Sequence, residues 1–152
     1  MKHDNRLSAT LHALLHMADI GRPMTSAELA QCMSTNPVVV RRTMAGLREA
    51  GLVSSEKGHG GGWEIAVDLE KVTLRDIYTA LGAPRLLALG LDIANPSCLV
   101  ERAVNRHLAS AFDEAEALLI TRLGDVTLAT LAADFHAEAA LRRHHHQDVS
   151  NA

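Results

Sequence analysis

Aromatic residues are nearly absent: two Phe, one Tyr and one Trp in 152 residues, 3 % of the chain. A core must therefore be assembled mainly from Leu, Ala, Val, Ile and Met. Cysteine is equally scarce. Cys32 and Cys98 are too few for a disulfide framework and are expected as free thiols in a reducing compartment. No apolar run reaches the ~18 residues that span a bilayer, and the first residues lack the pattern of a signal peptide. A cytoplasmic protein with no membrane contact is the expectation. Also missing are a paired-carboxylate site, a nucleophile motif and a phosphate loop, since Gly58–Gly62 has neither the lysine nor the following helix of a P-loop. These absences argue against an enzyme.

A general basic excess is lacking too, the net charge being −3. Its distribution is uneven. Residues 1–66 carry seven Lys/Arg against six Asp/Glu, and residues 67–152 carry eight against twelve. Any affinity for a polyanion has to come from local placement and from repetition of the site in a second copy. An apolar fraction of 47 % with 22 % charged residues fits a globular, largely helical chain long enough for a sizeable core.

Hydrophobic periodicity predicts a first helix over 6–20, with Leu7, Leu11, Leu14, Leu15 and Ala18 on one side and Gly21 as the stop. Thr25 and Glu28 have capping-box spacing at the head of a second helix reaching Met33. Ser34-Thr35-Asn36 reads as a turn, and Pro37 suits the first position of a third helix running to Ala50. Leu52–Ser55 and Trp63–Val67 alternate as two strands, with a glycine-rich tip over 56–62. Thr73 caps a fourth helix that ends near Gly82. Residues 83–97, interrupted by Pro84, Gly90 and Pro96, read as a connector. A long helix over 98–123 follows, with Val100, Val104, Leu108, Ala111, Ala115, Leu118 and Leu119 in one stripe. Gly124-Asp125 breaks it, and a last helix reaches Arg143 before a frayed tail, 144–152.

This is a mainly α fold with a small β-hairpin: a winged helix-turn-helix over 1–82, the connector 83–97, and a dimerisation helix with a final helix over 98–143. In the third helix, Val40, Met44 and Leu47 share an inward face. Val38, Val39, Arg41, Arg42, Ala45 and Arg48 point away from it. Adjacent outward valines suit contact with thymine methyl groups, and arginines bind phosphates or a guanine edge. Thr35 and Asn36 are placed to donate to a phosphate at the helix N-terminus. Lys57, His59 and Gly60, at the hairpin tip over 56–63, are placed to reach a minor groove or a flanking phosphate. Trp63 reads as packed beneath the wing. The partner these features point to is double-stranded DNA.

The segments Thr35-Asn36-Pro37-Val38-Val39-Val40-Arg41-Arg42, Leu47-Arg48-Glu49-Ala50-Gly51-Leu52-Val53, Gly58-His59-Gly60-Gly61-Gly62-Trp63 and Thr73-Leu74-Arg75-Asp76-Ile77-Tyr78, followed by Asn95-Pro96-Ser97-Cys98 before a long helix, together resemble the Rrf2 family of bacterial transcriptional regulators. The resemblance runs from near the first residues to about Leu131. It implies a homodimer joined by the long helix, bound to an imperfect palindrome and usually repressing transcription. Many members hold an iron–sulfur cluster on three cysteines near the start of that helix. Here Cys98 is the single cysteine in the region, so the chain resembles the cluster-free branch and no cofactor is expected. An atypical cluster site would have to draw on Asp92, Cys98 and His107, helped by a partner subunit, and a thiol redox switch would rest on Cys98 alone. Cys98 also reads as a structural cysteine capping the helix. The other functional class is a winged-helix protein-interaction module without DNA binding. His12, His16 and His107 read as packed histidines on helix faces, and His144–His146 as no defined metal site.

Overall fold

The computed structural model describes residues 5–58, 61–84, 86–87 and 98–150, with the backbone alone over 142–150. Six helices and one hairpin follow in order: α1 (Arg6–Ile20), α2 (Ser26–Cys32), α3 (Pro37–Glu49), β1 (Val53–Ser55), β2 (Trp63–Ile65), α4 (Leu74–Ala80), α5 (Leu99–Gly124) and α6 (Leu128–Ser150). The start and stop signals act where the sequence places them. Gly21 ends α1 in the left-handed region at φ 64°, its N–H bonded to the Met17 carbonyl. Thr25 and Glu28 close a capping box on α2, and Thr73 with Asp76 closes another on α4.

The core gathers α1, α2, α3, the hairpin and α4 around Leu14, Leu29, Val40, Met44, Leu47 and Ile77, all essentially inaccessible to water. It is aliphatic, as the scarcity of aromatics requires. Thr10 is buried with them, and its hydroxyl has no hydrogen-bond partner. The hairpin pairs antiparallel, Val53 opposite Ile65 and Ser55 opposite Trp63. Met24 adds a third, single-residue strand beside Trp63: its N–H donates to the Trp63 carbonyl at 2.9 Å, and the Trp63 N–H donates back at 2.8 Å. Met24 is therefore an edge of the wing.

Two features of the C-terminal part differ from the expectation. The junction of α5 and α6 is tied to the entry of α4, with Leu74 N–H donating to the Val126 carbonyl and Leu128 N–H to the Val72 carbonyl, each at 2.9 Å. Leu128 lies 2 % exposed in the aliphatic core, so the first turn of α6 is part of the winged-helix packing. The frayed tail beyond Arg143 is corrected as well: α6 continues to Ser150. From Leu128 to Ser150 there is neither Gly nor Pro, and Ala and Leu are frequent, so no stop signal interrupts the helix. By contrast α5 contributes no buried residue at all. No helix among the described residues is long and apolar enough to cross a membrane.

Candidate nucleic-acid interface

The turn between α2 and α3 is set by backbone geometry. Ser34 takes φ 49°, a left-handed conformation uncommon outside glycine, which turns the chain sharply after Met33. The Thr35 N–H closes the turn on the Ala30 carbonyl at 2.9 Å, and Thr35 is half-buried. Asn36 is the N-cap of α3. Its Oδ1 accepts from the N–H groups of Val38 and Val39 at 3.0 and 3.1 Å, and Pro37 occupies the first helical position. This alters the role read for Asn36. Its carbonyl and two of the helix N-terminal donors are already committed to each other, so only the side-chain amide nitrogen is left to meet a phosphate.

The faces of α3 separate cleanly. Val40, Met44 and Leu47 are each 0 % exposed, whereas Val38 is 63 % and Val39 40 % exposed, and Arg41, Arg42 and Arg48 are exposed too. Val38, Arg42 and Ala45 are spaced i, i+4, i+7 and lie opposite the buried stripe, with Val39 and Arg41 on the two flanks. Leaving two adjacent valines in water while burying a third needs a reason beyond folding, since each gains by burial. Such a stripe, apolar at its N-terminal end and cationic beside it, fits the floor of a major groove.

Arg48 behaves differently from its neighbours. Its guanidinium donates to Ser55 Oγ at 3.2 Å and lies over the Trp63 ring, 5.8 Å from the centroid. It binds the wing to α3 and is already engaged within the fold. Trp63 is packed as expected, its indole N–H donating to Ser26 Oγ at 3.0 Å. Neither Ser26 nor Met24 was legible as a wing support, because both contact Trp63 from 37 or more residues away.

The wing narrows through close backbone approach. A Cβ at Gly62 would stand 2.6 Å from the Met24 carbonyl oxygen, so only glycine fits beside this edge. Gly58 turns the tip at φ 110°, and Lys57 is exposed next to it. His59 and Gly60 lie outside the described residues.

The electrostatics of the domain are carried by its caps. Glu28 is held down to about 2 by the Arg22 guanidinium at 2.8 Å and by the Thr25 N–H and hydroxyl. Asp76 is lowered by the Thr73 backbone and hydroxyl. The Tyr78 hydroxyl is raised by burial and by Glu116 of α5, and it donates to the Pro84 carbonyl at 2.9 Å.

Two of the three residues named for an atypical cluster site lie on α5. Cys98 is the N-cap residue of α5 and His107 lies nine residues along the same helix, an axial separation of about 13 Å. Asp92 lies outside the described residues. Among the described residues no group of three or more His, Cys, Asp or Glu converges to hold a metal ion. Cys98 is the single thiol of this region, whereas an iron–sulfur cluster takes about four ligands, mostly thiolates. Cys98 stands at the N-cap position of α5, as read from the sequence, and its side chain makes no capping hydrogen bond there. Both cysteines are free thiols.

Comparison with known proteins agrees with this geometry. The Rrf2 family, described as iron-dependent transcriptional regulators, matches residues 3–134. The HTH-type transcriptional regulator YwnA of Bacillus subtilis is 26 % identical over 125 residues, covering 82 % of this chain and 92 % of the relative. YffB of Lactococcus lactis, also named an HTH-type transcriptional regulator, is 28 % identical over 139 residues, 87 % of each chain. Among solved structures, a transcriptional regulator from Lactobacillus plantarum superposes with a TM-score of 0.69 at 21 % identity, covering 95 % of this chain and 98 % of that one. That similarity speaks for the fold.

Proposed function

The chain belongs to the Rrf2 family and is a DNA-binding transcriptional regulator, and from this premise we propose that it works as a cytoplasmic homodimeric repressor of a palindromic operator. The observation that carries the reading is the exposure of Val38 and Arg42 opposite a fully buried Val40, Met44 and Leu47, with Val39 and Arg41 exposed on the two flanks. Val38, Arg42 and Ala45 face base edges, Arg41 takes a phosphate on one flank, and Lys57 on the wing meets the adjoining backbone. Arg48 holds the wing in position.

Dimerisation is supported by α5. Its 26 residues, about 39 Å of helix, expose Leu99, Val100, Val104, Leu108, Leu118 and Leu119, with Leu99 at 76 % and Leu118 at 60 %. A single chain does not leave a stripe of this length in water without a partner. A second α5 is the occupant that also supplies a second α3, about 34 Å away for successive major grooves. Protein-bound fragments recovered from the source genome should share a two-fold-related sequence, and sedimentation should give twice the chain mass. Introducing Leu108→Glu with Leu119→Glu should yield monomers that bind the fragments far more weakly. Monomeric wild-type protein bound to asymmetric single sites contradicts the proposal.

A further inference from the structure

We propose that the seam between α1 and α6 carries a two-histidine site for a divalent copper- or nickel-type cation, with His12 and His16 as its protein ligands. The two residues are one helical turn apart on α1 and face the same way. Their Nε2 atoms lie 2.9 Å apart, with ring centroids at 4.7 Å and the planes inclined by 49°. In the metal-free pair one Nε2–H donates to the other Nε2. Chelation requires that ring to shift its proton to Nδ1 and both rings to rotate, so that the two Nε2 lone pairs turn from facing each other to converge on one ion. No net proton is released when both rings start neutral.

The donor set indicates the metal class. Imidazole nitrogen suits copper, nickel and zinc, and affinity at such a site rises from nickel(II) to copper(II) and falls again at zinc(II). Two cis nitrogens on a square-planar or tetragonal ion stand ~2.9 Å apart at bonds of ~2.0–2.1 Å, a bite within reach of two histidines one helical turn apart. The surroundings have room for it. His12, Leu15, His16 and Phe135 of α6 line a cavity of about 100 Å³. Asp19, one turn further along α1, faces His136 of α6 at 3.8 Å and does not join the pair. With two protein ligands, the other positions on the ion fall to water.

The histidines at 144–146 compete for the same metals, so the test uses the full chain carrying His144→Ala, His145→Ala and His146→Ala. Titrated with copper(II) and followed by electron paramagnetic resonance, it should bind one ion per chain with the hyperfine signature of two imidazole nitrogens. Adding His16→Gln, or separately His12→Gln, should weaken binding by at least the ~10-fold that loss of an outer-shell partner alone costs. The circular dichroism spectrum should not change. Nickel(II) should bind more tightly than zinc(II). Copper affinity that survives His16→Gln, copper binding that disappears with the 144–146 substitutions, or zinc preferred over nickel would each overturn the assignment.

Discussion

The guanidinium of Arg48, in the last turn of α3, lies 5.8 Å from the centre of the Trp63 ring at the start of β2. This contact, with the hydrogen bond from Arg48 to Ser55, joins α3 to both strands of the wing. It makes Arg48 a positioning residue, and that role separates it from Arg41 and Arg42. Arg48→Ala should cost about 0.5–1 kcal/mol of stability and leave the salt dependence of DNA binding unchanged. Urea denaturation and a salt titration of binding check the two halves; a reduced salt slope would place Arg48 on a phosphate instead.

Gly62→Ala sets a Cβ against the Met24 backbone, 2.6 Å from its carbonyl oxygen. The paired hydrogen bonds between Met24 and Trp63 must lengthen or break. We expect a loss of about 1–3 kcal/mol, the usual range for overpacking a rigid site, together with weaker DNA binding as the wing shifts. Retention of wild-type stability in urea denaturation would show that the wing edge is not held this way.

Asn36 caps α3 and is proposed to meet DNA, and substitutions separate the two roles. Asn36→Ala removes the acceptor for Val38 and Val39 and should cost about 1 kcal/mol. Asn36→Asp keeps the cap, and stability should stay near wild type, while its charge repels a nearby phosphate and weakens binding. Denaturation midpoints and DNA affinity measured on both variants check this; an Asp variant that binds as tightly as wild type removes Asn36 from the interface.

Acid should destabilise the fold through its caps. Glu28 and Asp76 both have folded pKa values below their ordinary ones, Glu28 at about 2. Their unfolded carboxylates titrate near ~4. Their contribution is therefore complete above the unfolded value and is lost as pH falls from ~5 through the folded values. Thermal melts should show a falling midpoint below ~pH 5, and Glu28→Gln should flatten that fall. An unchanged pH profile in the Gln variant contradicts the capping account.

The helices of the N-terminal half and the buried face of α3 were legible because each is encoded locally, by period 3.6 or by a cap within four residues. The docking of α6 was not. Leu128 enters the core beside two hydrogen bonds, its own N–H to the Val72 carbonyl and the Leu74 N–H to the Val126 carbonyl, each spanning more than fifty residues, and nothing in the local pattern marks that pairing. Arg48 was assigned to the DNA face because its position on α3 is exposed; its Trp63 partner becomes visible only once the hairpin is folded. The extension of α6 to Ser150 follows from propensity alone, which a charged, histidine-rich tail conceals.

The central claim is that α3 meets DNA through Val38, Arg41 and Arg42, and fluorescence anisotropy on an operator fragment over a salt series tests it most directly. The account predicts steep salt dependence for the wild type. Arg42→Ala should lose about 1–3 kcal/mol of sequence-specific binding, and Arg41→Ala should lower the salt slope by ~1. Binding that is indifferent to salt, or unaffected by both substitutions, would contradict it.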